Sequence, residues 1–171
     1  MKKRVFALLL SFLCIFSATC FAGNTRGTPL PQERMALGGL HVADTMEYVQ
    51  SIYGEPESEE SGYSQGTGTE YAVWEYSDSV KIHFRKNEST DEYYIKNIMV
   101  TADNGFSTPD GIKVGMDEKV LPKTYGEPFL HQRSNKGYET YRYQKTVHKY
   151  IYLVFIVSDG KIIKINLGFD N

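Results

Sequence analysis

The sequence predicts an α+β fold: two tandem units, each a helix followed by an antiparallel meander, forming one curved antiparallel sheet with helices packed on one face. Three observations predict it. The string Tyr53-Gly54-Glu55-Pro56 recurs as Tyr125-Gly126-Glu127-Pro128, and the ungapped match reaches back to Gly39 and Gly111, with six identities in 18 positions. After each string the spacing of apolar residues changes from helical to alternate. Short links with turn chemistry separate the alternating runs. Recurrence at this period marks two copies of one supersecondary unit, repeat 1 over 39–104 and repeat 2 over 105–171.

Two segments precede the repeats. Lys2, Lys3 and Arg4 followed by the apolar run Val5–Phe16 and the small-residue exit Cys20-Phe21-Ala22 make a secretory signal over 1–22. Export to the periplasm or the medium follows. The run is too short and too quickly polar for a membrane anchor, and no later run is long enough to span a bilayer. A lipid anchor at Cys20, which would make an outer-membrane lipoprotein, is the alternative, although Ser17-Ala18-Thr19 is a poor lipidation context. Residues 23–38 mix Pro, Gly and polar residues without periodicity and read as a flexible leader.

In repeat 1, Asp44 stands at the N-cap with Glu47 three residues on, and Met46, Val49, Ile52 and Tyr53 form one apolar stripe. Gly54 supplies the residue beyond the helix and Pro56 forbids continuation. In repeat 2, Val120, Leu121 and Tyr125 keep the stripe, while Pro122 predicts a helix that is short, kinked or partly 3₁₀. Strands follow at 70–76, 80–85 and 93–101, and at 138–143, 150–157 and 161–169, with shorter ones around 57–62 and 129–134. The stretch from Gly62 to Tyr71 is about five residues longer than its counterpart before Tyr138, which predicts a long protruding hairpin.

Composition limits the chemistry. Cys14 and Cys20 both lie in the signal, so a mature chain from Gly23 has neither a disulfide nor a thiolate metal site. With Lys2, Lys3 and Arg4 removed from the 19 basic residues, the 21 acidic ones are in excess by five, which argues against nucleic acid. His41, His83, His131 and His148 show no metal or catalytic spacing. The acidic run Glu55–Glu60 lacks a chelating pattern, and Gly62, Gly66 and Gly68 lead into a strand where a phosphate loop needs a helix. We expect no enzyme, no metal and no cofactor.

Val114-Gly115-Met116, the second Tyr-Gly-Glu-Pro string, the Phe155 strand and Asp159-Gly160-Lys161-Ile162-Ile163 together resemble the repeat of β-lactamase inhibitory proteins. The same motifs are similar to the repeat of the SmpA/OmlA outer-membrane assembly lipoproteins. Repeat 1 matches more loosely, with Val42-Ala43-Asp44 in place of Val-Gly-Met. The resemblance covers nearly all of 39–169. It implies an exported α+β module without catalytic residues, whose sheet face or loops bind protein.

The aromatic residues supply the candidate site. Period two puts Trp74 with Tyr76, and Tyr141 with Tyr143, on one face in each repeat. Ile151, Leu153 and Phe155 suit the helix-covered face, so Tyr150 and Tyr152 point the other way, as does His83 between Lys81 and Arg85. If the four strand aromatics share that open face, Trp74, Tyr76, His83, Tyr141, Tyr143, Tyr150 and Tyr152 form a surface of the type that binds protein. In the alternative, Trp74 and its equivalents are core. The expected function is binding of an extracytoplasmic protein through this face and the repeat 1 hairpin, with inhibition of a hydrolase as one option. Envelope scaffolding and glycan or peptide binding are the others.

Overall fold

The computed structural model describes residues 27–145 and 151–170. Helix α1 (Met46–Tyr53) precedes strands β1 (Ser58–Ser64), β2 (Thr69–Tyr76), β3 (Val80–Lys86) and β4 (Tyr93–Val100). Helix α2 (Val120–Tyr125) precedes β5 (Leu130–Arg133), β6 (Glu139–Gln144), β7 (Ile151–Ser158) and β8 (Lys161–Phe169). The eight strands form one sheet in the order β1-β2-β3-β4-β8-β7-β6-β5. Every neighbouring pair is antiparallel. Each meander thus contributes its last strand to the middle, where β4 and β8 pair from Asn97↔Gly168 to Val100↔Ile165. Strands β1 and β5 are left as the edges.

Local chemistry explains the helix ends. Gly54 and Gly126 have φ of 75° and 72°, with ψ of −158° and −151°, a region closed to residues with a Cβ. Their amides donate to the carbonyls of Gln50 (2.8 Å) and Pro122 (3.0 Å), closing each helix before the chain turns into the sheet. The N-cap of α1 differs from expectation by one residue. Thr45 accepts from the Tyr48 amide, while Asp44 accepts from the His41 amide and so holds the turn before the helix. Helix α2 is a six-residue element, entered by bonds from Val120 to Asp117 and from Leu121 to Glu118 of the 3₁₀ type. Pro122 is tolerated because it sits in this first turn. The link Asp159-Gly160 has φ of 51° and 71°, as a two-residue hairpin turn of the primed type requires.

The core lies between the helices and one face of the sheet. Val49, Leu121 and Tyr125 pack with Ile82, Phe84, Ile98, Leu153, Phe155 and Leu167, and the layer runs unbroken across the β4–β8 junction. Full burial of each such side chain contributes about 1.5–3 kcal/mol.

The segment 27–38 is a correction to the reading of a flexible leader. Leu30, Met35 and Leu37 are buried at 2%, 0% and 0% exposure. The Leu30 amide donates to Gln144 at 2.8 Å and the Gly38 amide to Ser107 at 2.9 Å. Arg34 donates to Asp110 at 3.0 Å and to the Thr124 carbonyl at 2.9 Å, with its guanidinium over the Tyr125 ring. Missing periodicity identifies irregular backbone. It carries no information on packing, and three apolar side chains at uneven spacing are enough to bury this segment.

Candidate functional site

Strand β3 shows how the two faces of the sheet are assigned. Val80, Ile82 and Phe84 are buried, so alternation turns Lys81, His83 and Arg85 to the opposite face. On β2, Tyr71, Val73 and Glu75 stand in register with Arg85, His83 and Lys81. Glu75 and Lys81 form an ion pair across the strands. The Tyr71 ring lies over Gly62 of β1, where a Cβ would come within 2.9 Å of its hydroxyl, and that hydroxyl donates to Glu60 at 3.2 Å. A β-bulge interrupts the β3–β4 register between His83 and Phe84. Ile95 and Ile98 are both buried, which leaves Lys96 and Asn97 together as the residues between two core contacts. Lys96 Nζ sits 3.5 Å from the centroid of the Phe169 ring.

The second half of this face is built on the same plan. Tyr152 of β7 faces away from the core between Ile151 and Leu153. Its ring extends across β8 at Gly168, where a Cβ would meet the hydroxyl at 2.7 Å, and Asn97 Nδ2 of β4 approaches the hydroxyl at 3.5 Å. Arg142 lies over the Tyr152 ring at 4.6 Å and is paired with Asp170. Val154 and Ile156 continue β7 as partly exposed apolar residues. Among the described residues the two helices and the 27–38 segment all pack on the other face.

A recess of about 430 Å³ opens on the β1–β4 part of this surface, lined by Tyr71, Val73, Lys81, His83, Arg85 and Lys96 together with Glu60 and Glu75. Burial, reinforced by Lys81 and opposed by Glu60, holds His83 below its ordinary value of 6.5, so the ring favours the neutral form. Burial and the neighbouring Arg85 likewise lower Lys96.

Of the residues expected on the open face, His83 and Tyr152 are there. Tyr150 and His148 lie outside the described residues. Trp74, Tyr76, Tyr141 and Tyr143 are corrections, because they face the helices. Trp74 and Tyr143 are 4% and 0% exposed, and Tyr141 is 9%. Trp74 meets Phe84 edge-on at 5.0 Å, and Tyr143 and Phe155 pack around Tyr125 of α2. Tyr76 is half-buried and donates its hydroxyl to the Gly54 carbonyl at 2.9 Å.

The deciding signal was the three-residue link Ser77-Asp78-Ser79. It pairs Tyr76 with Val80, and therefore Trp74 with Ile82 on the apolar side. Tyr141 pairs with Phe155 in the same way. The residues that sequence reasoning missed are Tyr71, Val73 and Lys96. The first two follow from that same register, whereas Lys96 depends on a bulge that no local pattern announces.

The β1–β2 connection is a long hairpin. The β1–β2 ladder has seven registered pairs against four in β5–β6, so the extra length is paired strand. Tyr63, near its tip, is 57% exposed. Among the described residues no three His, Asp or Glu side chains are grouped as a metal site would group them. None of the described helices is long and apolar enough to cross a membrane.

No protein-family model matches the chain, and no curated protein matches it. One solved structure that it resembles is described as the 1.5 Angstrom resolution crystal structure of an extracellular protein containing a SCP domain from Bacillus anthracis str. Ames. The two are 11% identical with a TM-score of 0.44, over 75% of this chain and 44% of that one. This chain therefore spans less than half the length of that protein. A likeness of this size carries no weight for fold or function.

Proposed function

We propose that this chain is an exported, non-enzymatic module that binds an extracytoplasmic protein through the uncovered face of its sheet, with the β1–β2 hairpin at one margin. The observation that carries the reading is the makeup of that face. Two tyrosines, Tyr71 and Tyr152, lie flat across glycines of neighbouring strands, between them stand His83, Arg85 and Lys96, and Val154 and Ile156 add apolar area. Aromatic side chains and arginine on rigid strands lose little conformational freedom on contact, which is why they dominate binding hot spots. The family resemblance supports the same reading. We also propose that the two halves are copies of one unit, since each Tyr-Gly-Glu-Pro string closes a helix before a four-stranded meander. Inhibition of a hydrolase is one form such binding takes.

The test is a pull-down from the native envelope and secreted fraction with the mature protein, wild type against Tyr71→Ala/Tyr152→Ala. A specific partner should be retained by the wild type and lost from the double variant. Exposed Tyr138, outside this face, serves as the control as Tyr138→Ala. A partner held equally by both sinks the proposal. Intact mass of the exported protein separates a free chain from one lipidated at Cys20.

A further inference from the structure

One polar group in the core has no partner. Trp74 is 4% exposed, and its indole Nε1–H is the single buried side-chain donor or acceptor without a hydrogen bond among the described residues. Buried N–H groups are nearly always paired, so an orphan points to a missing acceptor. Trp74 also walls a cavity of about 240 Å³ on the helix side of the sheet, between the first turns of α1 and the chain leading from β3 into β4. Met46, Glu47 and Gln50 border it on one side, Glu92 and Tyr93 on the other. This volume is below the roughly 300–1,000 Å³ of pockets for whole small molecules and suits one inserted side chain.

Charge is an independent observation. Glu47 and Glu92 are exposed, and neither carboxylate has a hydrogen bond or ion pair among the described residues. Asp91 beside them is paired with Lys86 at 2.9 Å, and Lys86 also meets Glu70 at 3.0 Å. Four carboxylates thus stand against one ammonium, so the mouth of the cavity is negative. They are not grouped as a metal site would group them. Depth separates the two kinds of group: the orphan donor lies inside, the free carboxylates at the rim.

We propose that this cavity receives a basic peptide segment of another protein, with the side-chain amide of an inserted Gln or Asn accepting from Trp74 Nε1–H and a flanking Lys or Arg meeting Glu47 and Glu92. The inserted acceptor is neutral because a carboxylate would be repelled at the rim, while basic flanks are attracted there. Met46, unbranched and flexible, shifts to admit the amide oxygen to the indole. The site lies on the opposite side of the sheet from Tyr71 and Tyr152 and does not rest on the open-face reading.

Trp74 is the only tryptophan of the chain, so the ¹⁵N-labelled mature protein gives one indole N–H resonance. The experiment follows it during titration with terminally blocked Lys-Gln-Lys, against Lys-Met-Lys, which keeps shape and charge without the amide, and Glu-Gln-Glu, which reverses the charge. With Lys-Gln-Lys the indole proton should move downfield, together with the amides of the first turn of α1 and of 91–93. Lys-Met-Lys should leave the indole in place, and Glu-Gln-Glu should bind at least about tenfold more weakly. Glu47→Gln/Glu92→Gln should weaken Lys-Gln-Lys about tenfold with the thermal midpoint within a few degrees, since both side chains are exposed. If that pair does not fold, the two reference peptides on the wild type carry the test.

Equal movement with Lys-Met-Lys, equal affinity for Glu-Gln-Glu, or an indole proton that stays in place up to tens of millimolar peptide each overturn the proposal. Propionamide moving the indole at the same concentration makes this a small-amide site and overturns it as well. Tyr71→Ala/Tyr152→Ala should leave the titration unchanged, so loss of the open-face partner and loss of this site are read separately.

Discussion

The two faces of one sheet carry similar residue types and use them in opposite ways. On the covered face Trp74, Phe84, Tyr143 and Phe155 are packed against α1, α2 and the 27–38 segment, and their rings touch one another at 5.0–6.0 Å. On the other face Tyr71 and Tyr152 lie across glycines, and their ring faces and cationic neighbours remain partly accessible. The difference teaches that an aromatic residue on a strand is not itself a sign of function. What matters is whether another element reaches it. A tyrosine on the covered face is a stability element whose hydroxyl is pushed up by burial, as at Tyr143 and as at Tyr125 of the α2 helix packed on it. A tyrosine on the open face is held in place but not enclosed.

The largest expected effect probes the covered side. Tyr143→Ala should lower the unfolding free energy by about 3–5 kcal/mol in urea denaturation, because it empties a fully buried ring position. Tyr152→Ala should cost about 1 kcal/mol or less while abolishing partner retention. Similar losses from the two substitutions would erase the distinction between the faces. Next comes Leu30→Ala, which should cost about 2–5 kcal/mol if the 27–38 segment belongs to the core. Limited proteolysis gives the direct check: cleavage near Leu30 in the wild type at rates typical of a free tail would return the segment to a leader.

A smaller effect sharpens the account of the open face. Gly168→Ala should destabilise by about 1–3 kcal/mol, since the added methyl meets the Tyr152 hydroxyl and Asn97 at 2.7 Å. Combined with Tyr152→Ala, the part of that cost due to the ring should vanish while the Asn97 contact stays, and a double-mutant cycle measures the coupling. Additive costs would mean that the ring does not lie over the glycine.

The smallest effect is the pH dependence from His83. Its folded-state value is lowered from 6.5 by burial and Lys81, so the stability it contributes is complete above that pH. As pH falls below 6.5 the unfolded chain binds a proton that the folded chain refuses, and stability declines until the folded value is passed. His83→Gln should remove this component, which a series of urea titrations across the window detects. An unchanged slope would place the ring in water.

Much of the fold is legible in residue order because the signals are local. The change from helical to alternate spacing, the helix stops at Gly54 and Gly126, and the turn at Asp159-Gly160 each depend on a few neighbouring residues. All eight strands fall within about two residues of where alternation puts them. The site was half legible. Period two identified which side chains share a face, and that was enough for His83 and Tyr152.

The sequence by itself determined two helix-then-meander halves, their turns, and the pairs of residues that travel together. Only the tertiary structure decided which of these pairs is covered. A strand is two-sided, and nothing within it says where the helix will land. The link Ser77-Asp78-Ser79 put Trp74 on the same face as Ile82, and the helices packed on that face. Tertiary packing also joined β4 to β8, buried 27–38 in the core, and introduced the bulge that brings Lys96 beside His83. These are long-range contacts, and their energy lies in surfaces that meet only when the chain is folded.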